Sequence, residues 1–116
     1  MRKIIFIFAM LPLFAYANSL KCEKKENRII CTYFSDRSDS ENNIVLKFHW
    51  ISPKSPLDDR IREINIPPYY GSAYDYRFIP GRIKGHWEVK VTKKDSNETV
   101  KAYFDINQSD DEFFSN

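Results

Sequence analysis

The chain has 116 residues, of which 42% are hydrophobic, 16% aromatic and 29% charged, a composition that fills one core and excludes a disordered, collagen-like or coiled-coil chain. Three glycines, two histidines and two cysteines are too few for a phosphate-cradling glycine loop, a multi-ligand metal site or a dense disulfide scaffold, so no metal and no cofactor is expected. The formal net charge of +2 is too small for a polyanion binder.

The chain opens with basic Met1-Arg2-Lys3, an apolar run from Ile4 to Phe14 and the small-x-small triplet Ala15-Tyr16-Ala17. An apolar run of 11 residues falls well short of the ~20 that a spanning helix needs. Residues 1–17 therefore read as a secretory signal peptide cleaved after Ala17, with export to the periplasm of a Gram-negative bacterium and no stable membrane insertion. Leu20-Lys21 before Cys22 is unsuited to a lipid anchor. Without residues 1–17 the chain keeps 99 residues with 16 basic and 16 acidic side chains, which removes the case for nucleic acid as a partner.

An exported chain with two cysteines most simply forms one bridge. A two-residue turn at Glu26-Asn27 sets Lys25 opposite Arg28 and Cys22 opposite Cys31, at a non-hydrogen-bonded site where the backbones approach closest. A Cys22–Cys31 disulfide in that hairpin contributes roughly 2 to 3 kcal/mol by shrinking the unfolded ensemble.

Beyond a polar loop from Ser35 to Asn43, residues 44 to 51 alternate Ile44, Leu46, Phe48 and Trp50 with smaller or polar side chains, the period of a strand with one heavy inner face. Ser52-Pro53-Lys54-Ser55-Pro56 breaks it. Arg60 to Ile66 carries Ile61, Ile64 and Ile66, a pattern that slips phase once and predicts either a bulge or one helical turn before a strand. In the next run Tyr74, Tyr76 and Phe78 take the inner face and Asp75 and Arg77 the outer, before Pro80-Gly81 reverses the chain. Trp87, Val89 and Val91, then Val100, Ala102, Phe104 and Ile106, form a closing hairpin. The expectation is an all-β, immunoglobulin-like β-sandwich of about seven strands, with a small β-barrel as the alternative. A single β domain spans 18–106, with Trp50, Trp87, Phe48 and Phe104 at its core, and 107–116 is a flexible acidic tail.

Phe48-His49-Trp50, Tyr74 to Phe78, Gly85-His86-Trp87-Glu88-Val89-Lys90-Val91 and Ala102 to Ile106 together resemble a family of small uncharacterised bacterial envelope domains. Those domains carry H-x-W early and end in G-x-W-x-V-x-V, a turn and a final F-x-V strand. Here His49 and Trp50 are adjacent, and Asp95-Ser96-Asn97 stands where the family has a turn glycine. The resemblance implies a sandwich and no activity.

No residues assemble into a catalytic pattern. His49 and His86 each precede a core tryptophan at outward strand positions, Asp58-Asp59 and Asp110-Asp111 read as solvated loops, and no serine sits in G-x-S-x-G, so no enzyme is expected. Tyr69 and Tyr70 follow a proline pair in a loop and, with Arg77 and Arg82 as groups for a carboxylate or phosphate, form a candidate contact surface.

Two sequons occur, Asn97-Glu98-Thr99 and Asn107-Gln108-Ser109, each with an aspartate two places before the asparagine, Asp95 and Asp105. Both resemble the extended D/E-x-N-x-S/T acceptor of the bacterial periplasmic oligosaccharyltransferase, the partner this implies, and roughly 0.2 such sites are expected by chance. The function read from the sequence is an N-glycosylated, non-catalytic binding or assembly module of the envelope, with an unknown envelope protein or glycan as partner. The alternative is a small secreted inhibitor of a hydrolase such as lysozyme.

Overall fold

A computed structural model of the chain describes residues 18–35 and 42–107. The expected signal peptide and all but the first residue of the acidic tail, Asp110 and Asp111 included, lie outside the described residues.

Among the described residues, seven strands form two antiparallel sheets. Strands β1 (Ser19–Lys25), β2 (Arg28–Phe34) and β5 (Ser72–Phe78) make one, in the order β1-β2-β5. Strands β3 (Ile44–Ile51), β4 (Arg60–Ile66), β6 (Gly85–Lys93) and β7 (Glu98–Ile106) make the other, in the order β4-β3-β6-β7. The sheets face each other as a sandwich and do not close into a barrel. In the constant-type immunoglobulin layout the fourth strand lies in the sheet of the first two; here it pairs with β3 instead.

The β1–β2 hairpin has the expected register, with Lys25 opposite Arg28 and Cys22 opposite Cys31. The cysteines are bridged, their Cα atoms 4.0 Å apart, as a non-hydrogen-bonded pair allows. Glu26 supplies the positive φ, +59°, that the two-residue turn demands. The alternation read from β3, β6 and β7 also holds, since Leu46, Phe48, Trp50, Trp87, Val89 and Val91 are all buried. Phe104 packs edge-on to Trp50 and stacks on Trp87, with ring centroids 5.8 Å apart in both pairs. Gly85 opens β6 at φ +136°, and a Cβ there would come within 2.9 Å of Pro53, so the glycine lets the proline loop lie against the strand.

Two strands depart from the expectation. β4 pairs with β3 in unbroken register from Ile44–Ile66 to Trp50–Arg60, with neither bulge nor helical turn. Its inner positions are Arg60, Arg62, Ile64 and Ile66, so the phase slip arises because arginines occupy half of an otherwise regular inner stripe and Ile61 faces out. β5 is the reverse of its hydrophobic pattern. Asp75 and Arg77 lie inside, at 2% and 9% exposure, while Tyr74 and Phe78 are exposed and Tyr76 is half-buried on the outer face. Asp75 sits opposite Cys31 and Arg77 opposite Ile29, both core residues, and this register leaves the aromatics no inward position.

The single helical feature among the described residues, a 3-10 turn at Pro56–Asp58, is capped by Ser55, whose side chain accepts from the Leu57 N–H. Truncating Trp87 to alanine removes a fully buried ring and should cost about 3 to 5 kcal/mol in a urea titration. A cost below about 1 kcal/mol would place that ring outside the core.

Candidate functional site

The strands that departed from their patterns are the edges of their sheets, and they meet along one seam of the sandwich. There the inner residues of both are charged. Asp75 Oδ2 accepts from Trp50 Nε1 at 2.9 Å and from Arg60 Nη2 at 2.8 Å, and its Oδ1 accepts from Arg62 Nη1 at 3.3 Å. Arg60 also donates to the Tyr76 carbonyl at 2.8 Å and lies over the Trp50 ring at 5.9 Å. One carboxylate on β5 thus ties β3 and β4 to the opposite sheet.

A second carboxylate, Asp58, organises the lower end of the seam. Arg77 donates to its backbone carbonyl at 2.6 Å and its Oδ1 at 3.2 Å, Arg82 Nη1 reaches the same Oδ1 at 3.1 Å, and the Ile83 N–H donates to Oδ2 at 2.9 Å. Its neighbour Asp59 accepts from the Ser52 N–H at 2.7 Å. The expectation that Asp58-Asp59 is a solvated loop is therefore corrected: both carboxylates hold backbone or guanidinium groups. Pro80-Gly81 brings Arg82 back, through an Ile79 carbonyl to Arg82 N–H bond of 3.0 Å with Gly81 at φ +90°. Burial first, then the charge of Arg82, lowers the Arg77 pKa from its ordinary value, with Asp58 opposing the shift.

Arg60, Arg62, Tyr76, Arg77, Phe78, Pro80 and Arg82 line a cleft of about 350 Å³ beside this network. The Nε atoms of Arg60 and Arg82 are buried and have no hydrogen-bond partner among the described residues.

The four residues of the expected contact surface do not form one surface. Tyr69 and Tyr70 lie before β5 and are exposed, whereas Arg77 and Arg82 lie at its far end, roughly 20 Å along the strand. Arg77 is buried, so it serves the cleft wall and not an open face. Tyr69 holds φ +72° at the third position of a turn closed by the Tyr70 N–H on the Pro67 carbonyl at 3.2 Å, a position that favours glycine or asparagine.

The histidines lie apart. His86 places Nδ1 2.7 Å from Asp105 Oδ1 and stacks on Tyr103, while His49 sits mid-strand opposite Lys90. Among the described residues no cluster of three His, Cys, Asp or Glu side chains could hold a metal ion. Asn97 occupies the exposed β6–β7 loop at φ +60°, a left-handed conformation that asparagine tolerates where the loop would otherwise use glycine. Its Thr99 lies inside the β6–β7 ladder, with its hydroxyl 3.1 Å from that of Thr92. Asn107 follows directly on β7, and its Ser109 lies outside the described residues.

Sequence reasoning missed Asp58, Arg60, Arg62 and Asp75. The available signal was in β4: counting back from Ile66 and Ile64 in steps of two lands on Arg62 and Arg60, and a charged pair at inner phase demands a buried partner of opposite sign.

No family model matches this chain, and no curated protein matches it. Among solved structures it is similar to a crystal structure of a β-glucosidase from Kluyveromyces marxianus, with a TM-score of 0.49 and 8% identity, over 80% of this chain and 15% of that one. The chain thus spans a small fraction of that enzyme's length, and a likeness this faint bears on neither activity nor site.

Replacing Asp75 with alanine strips a buried acceptor from three donors and should destabilise the fold by about 3 to 5 kcal/mol. Glu63→Ala, which breaks an exposed pair with Lys94, should cost under about 1 kcal/mol in the same denaturation series. Equal costs would mean that the seam contributes no more than a surface ion pair.

Proposed function

We propose that the protein is an exported, non-catalytic binding module of the bacterial envelope that docks its partner on the outer face of the β1-β2-β5 sheet. The observation that carries this reading is the inversion of β5. Its register sets Phe34 across from Ser72 and aligns Tyr74, Tyr76 and Phe78 on the outer face, with Arg28 over the Tyr76 ring at 5.0 Å. A sheet that buries aspartate and arginine while exposing tyrosine and phenylalanine has traded folding stability for an aromatic surface, and such surfaces mark contact sites. Tyr69, 73% exposed, and Tyr70 extend it at the Phe34 end, where the Ser35 N–H bonds the Gly71 carbonyl at 2.8 Å. A bulky side chain kept in a left-handed turn without burial is strain of the kind held at functional sites.

The Cys22–Cys31 bridge supports export, and the resemblance to envelope domains supports the compartment. A signal peptide cut after Ala17 and a periplasmic location complete this reading. Within it, Asn97 and Asn107 carry glycans added by an oligosaccharyltransferase that reads Asp95 and Asp105. Because Thr99 is paired inside a ladder, Asn97 is modified during export, before β6 and β7 close.

A second reading has one observation behind it. Leu57 is 95% exposed at the tip of the Pro56–Asp58 turn, whose base is held by Asp58 and Asp59, the form of a plug that enters a hydrolase cleft. Stoichiometric inhibition of a muramidase, abolished by Leu57→Asp, would replace the docking module with the inhibitor.

Photo-crosslinking from position 70 in periplasm should trap a defined partner, and Phe34→Ser or Tyr74→Ser should abolish the adduct in folded protein. Tyr69→Gly should relieve turn strain and raise stability by about 1 kcal/mol while weakening the same adduct. A crosslink indifferent to all three changes counts against the aromatic face. In a glycosylating host, peptide mass spectrometry should show Asp95→Ala removing the glycan at Asn97 and sparing Asn107, with Asp105→Ala doing the reverse.

A further inference from the structure

Among the described residues, the cleft at the β4–β5 seam carries a charge imbalance. Its walls hold four guanidiniums, from Arg60, Arg62, Arg77 and Arg82, and no acidic residue. Among the described residues, two carboxylates pair with them, Asp75 and Asp58. Asp59 is adjacent in sequence, but its carboxylate accepts from Ser52. Two net positive charges therefore face a cleft walled on one side by Tyr76, Phe78 and Pro80, where low-dielectric walls concentrate their field.

Unused donors point the same way. The side chains of Arg62 and Arg82 are 57% and 27% exposed, and each pairs with a single carboxylate oxygen among the described residues, so accessible N–H groups remain on both. A guanidinium presents a planar fork matched to oxyanions. A volume of about 350 Å³ exceeds what a bare oxyanion needs and lies at the lower end for small-molecule sites.

We infer that this cleft binds a phosphate monoester borne on a sugar-sized body, the phosphate between Arg62 and Arg82 and the body against Tyr76 and Phe78. A phosphomonoester carries about −1.5 to −2 charges near neutral pH, which matches the local excess where a single carboxylate meets half of it. The same group is offered by a soluble sugar phosphate and by a lipid headgroup. The cleft shares Tyr76 and Phe78 with one end of the aromatic face but includes none of Phe34, Tyr69 and Tyr74, so variants at Arg62 and Arg82 test this site and variants at Phe34 and Tyr74 test the docking face.

Calorimetric titration of the disulfide-bonded protein tests it, with glucose 6-phosphate, glucose, and vesicles of phosphatidylcholine with or without phosphatidic acid as probes. Glucose 6-phosphate should bind with a Kd below about 1 mM and weaken as salt rises, and glucose should give no signal. Binding to phosphatidic acid vesicles alone supports the site and assigns the headgroup source; binding to glucose 6-phosphate alone assigns the soluble one. Arg62→Gln and Arg82→Gln should each weaken the bound probe at least tenfold, whereas Lys101→Gln on β7, at the far edge of the sheet, should leave it unchanged. Should a variant lose its fold, the unaltered protein decides: glucose 6-phosphate should raise its Tm at fixed ionic strength and glucose should not. Failure of both phosphate probes to bind, or binding indifferent to Arg62 and Arg82, overturns the inference.

Discussion

The fold turns on one buried carboxylate. Asp75 sits at 2% exposure on an edge strand, and a charge so placed is tolerable only if donors surround it. Trp50 comes from the centre of the opposite sheet, and Arg60 and Arg62 come from that sheet's edge, so satisfying one residue fixes the approach of three strands. The arrangement also fixes the tryptophans. Trp50 is held by its ring nitrogen at Asp75 and covered by Arg60, while Trp87 donates to the Ile83 carbonyl at 2.7 Å and lies beneath Arg77 at 5.7 Å. Both core tryptophans thus meet a guanidinium.

Stability alone does not account for this. Buried ion pairs replaced by well-packed hydrophobic residues often leave a protein as stable or more so, because desolvation offsets most of the attraction. A purely structural seam would do as well with leucine at Arg60, valine at Asp75 and phenylalanine at Trp50, whose indole N–H would otherwise lose its acceptor. What the charges provide instead is a fixed set of guanidiniums at a cleft mouth.

The parts of the fold legible in the sequence are those governed by local rules. The β1–β2 register follows from turn length and the cysteine spacing, and β3, β6 and β7 follow from strict alternation against a single apolar face. β4 and β5 were misread for one reason: hydrophobic periodicity assumes that the inner face is apolar. On β5 the aromatics at Tyr74, Tyr76 and Phe78 outweighed Asp75 and Arg77 in any such count, although register against Cys31 and Ile29 is what decides the face. On β4 the isoleucine at position 61 mimicked a phase slip. The candidate site was invisible because its members lie on β3, β4, β5 and two loops, and a long-range ion network leaves no spacing in sequence. Arg77 and Arg82 were picked as anion-binding groups for their chemistry, but placed beside Tyr69 and Tyr70, from which a full strand separates them.

Because the cleft arginines are also the partners of Asp75 and Asp58, site and core share atoms. Any ligand that holds Arg62 and Arg82 acts on the partners of both carboxylates, and a ligand that binds only the folded chain stabilises it by mass action. The reverse also follows. The outer aromatics of β5 sit on the strand whose inner residues are Asp75 and Arg77, so a change in the seam shifts the backbone that presents Tyr74, Tyr76 and Phe78. The disulfide stands at the other edge of the same sheet, pinning β1 to β2, while β5 is held by its ladder to β2 on one side and by the charges of the seam on the other.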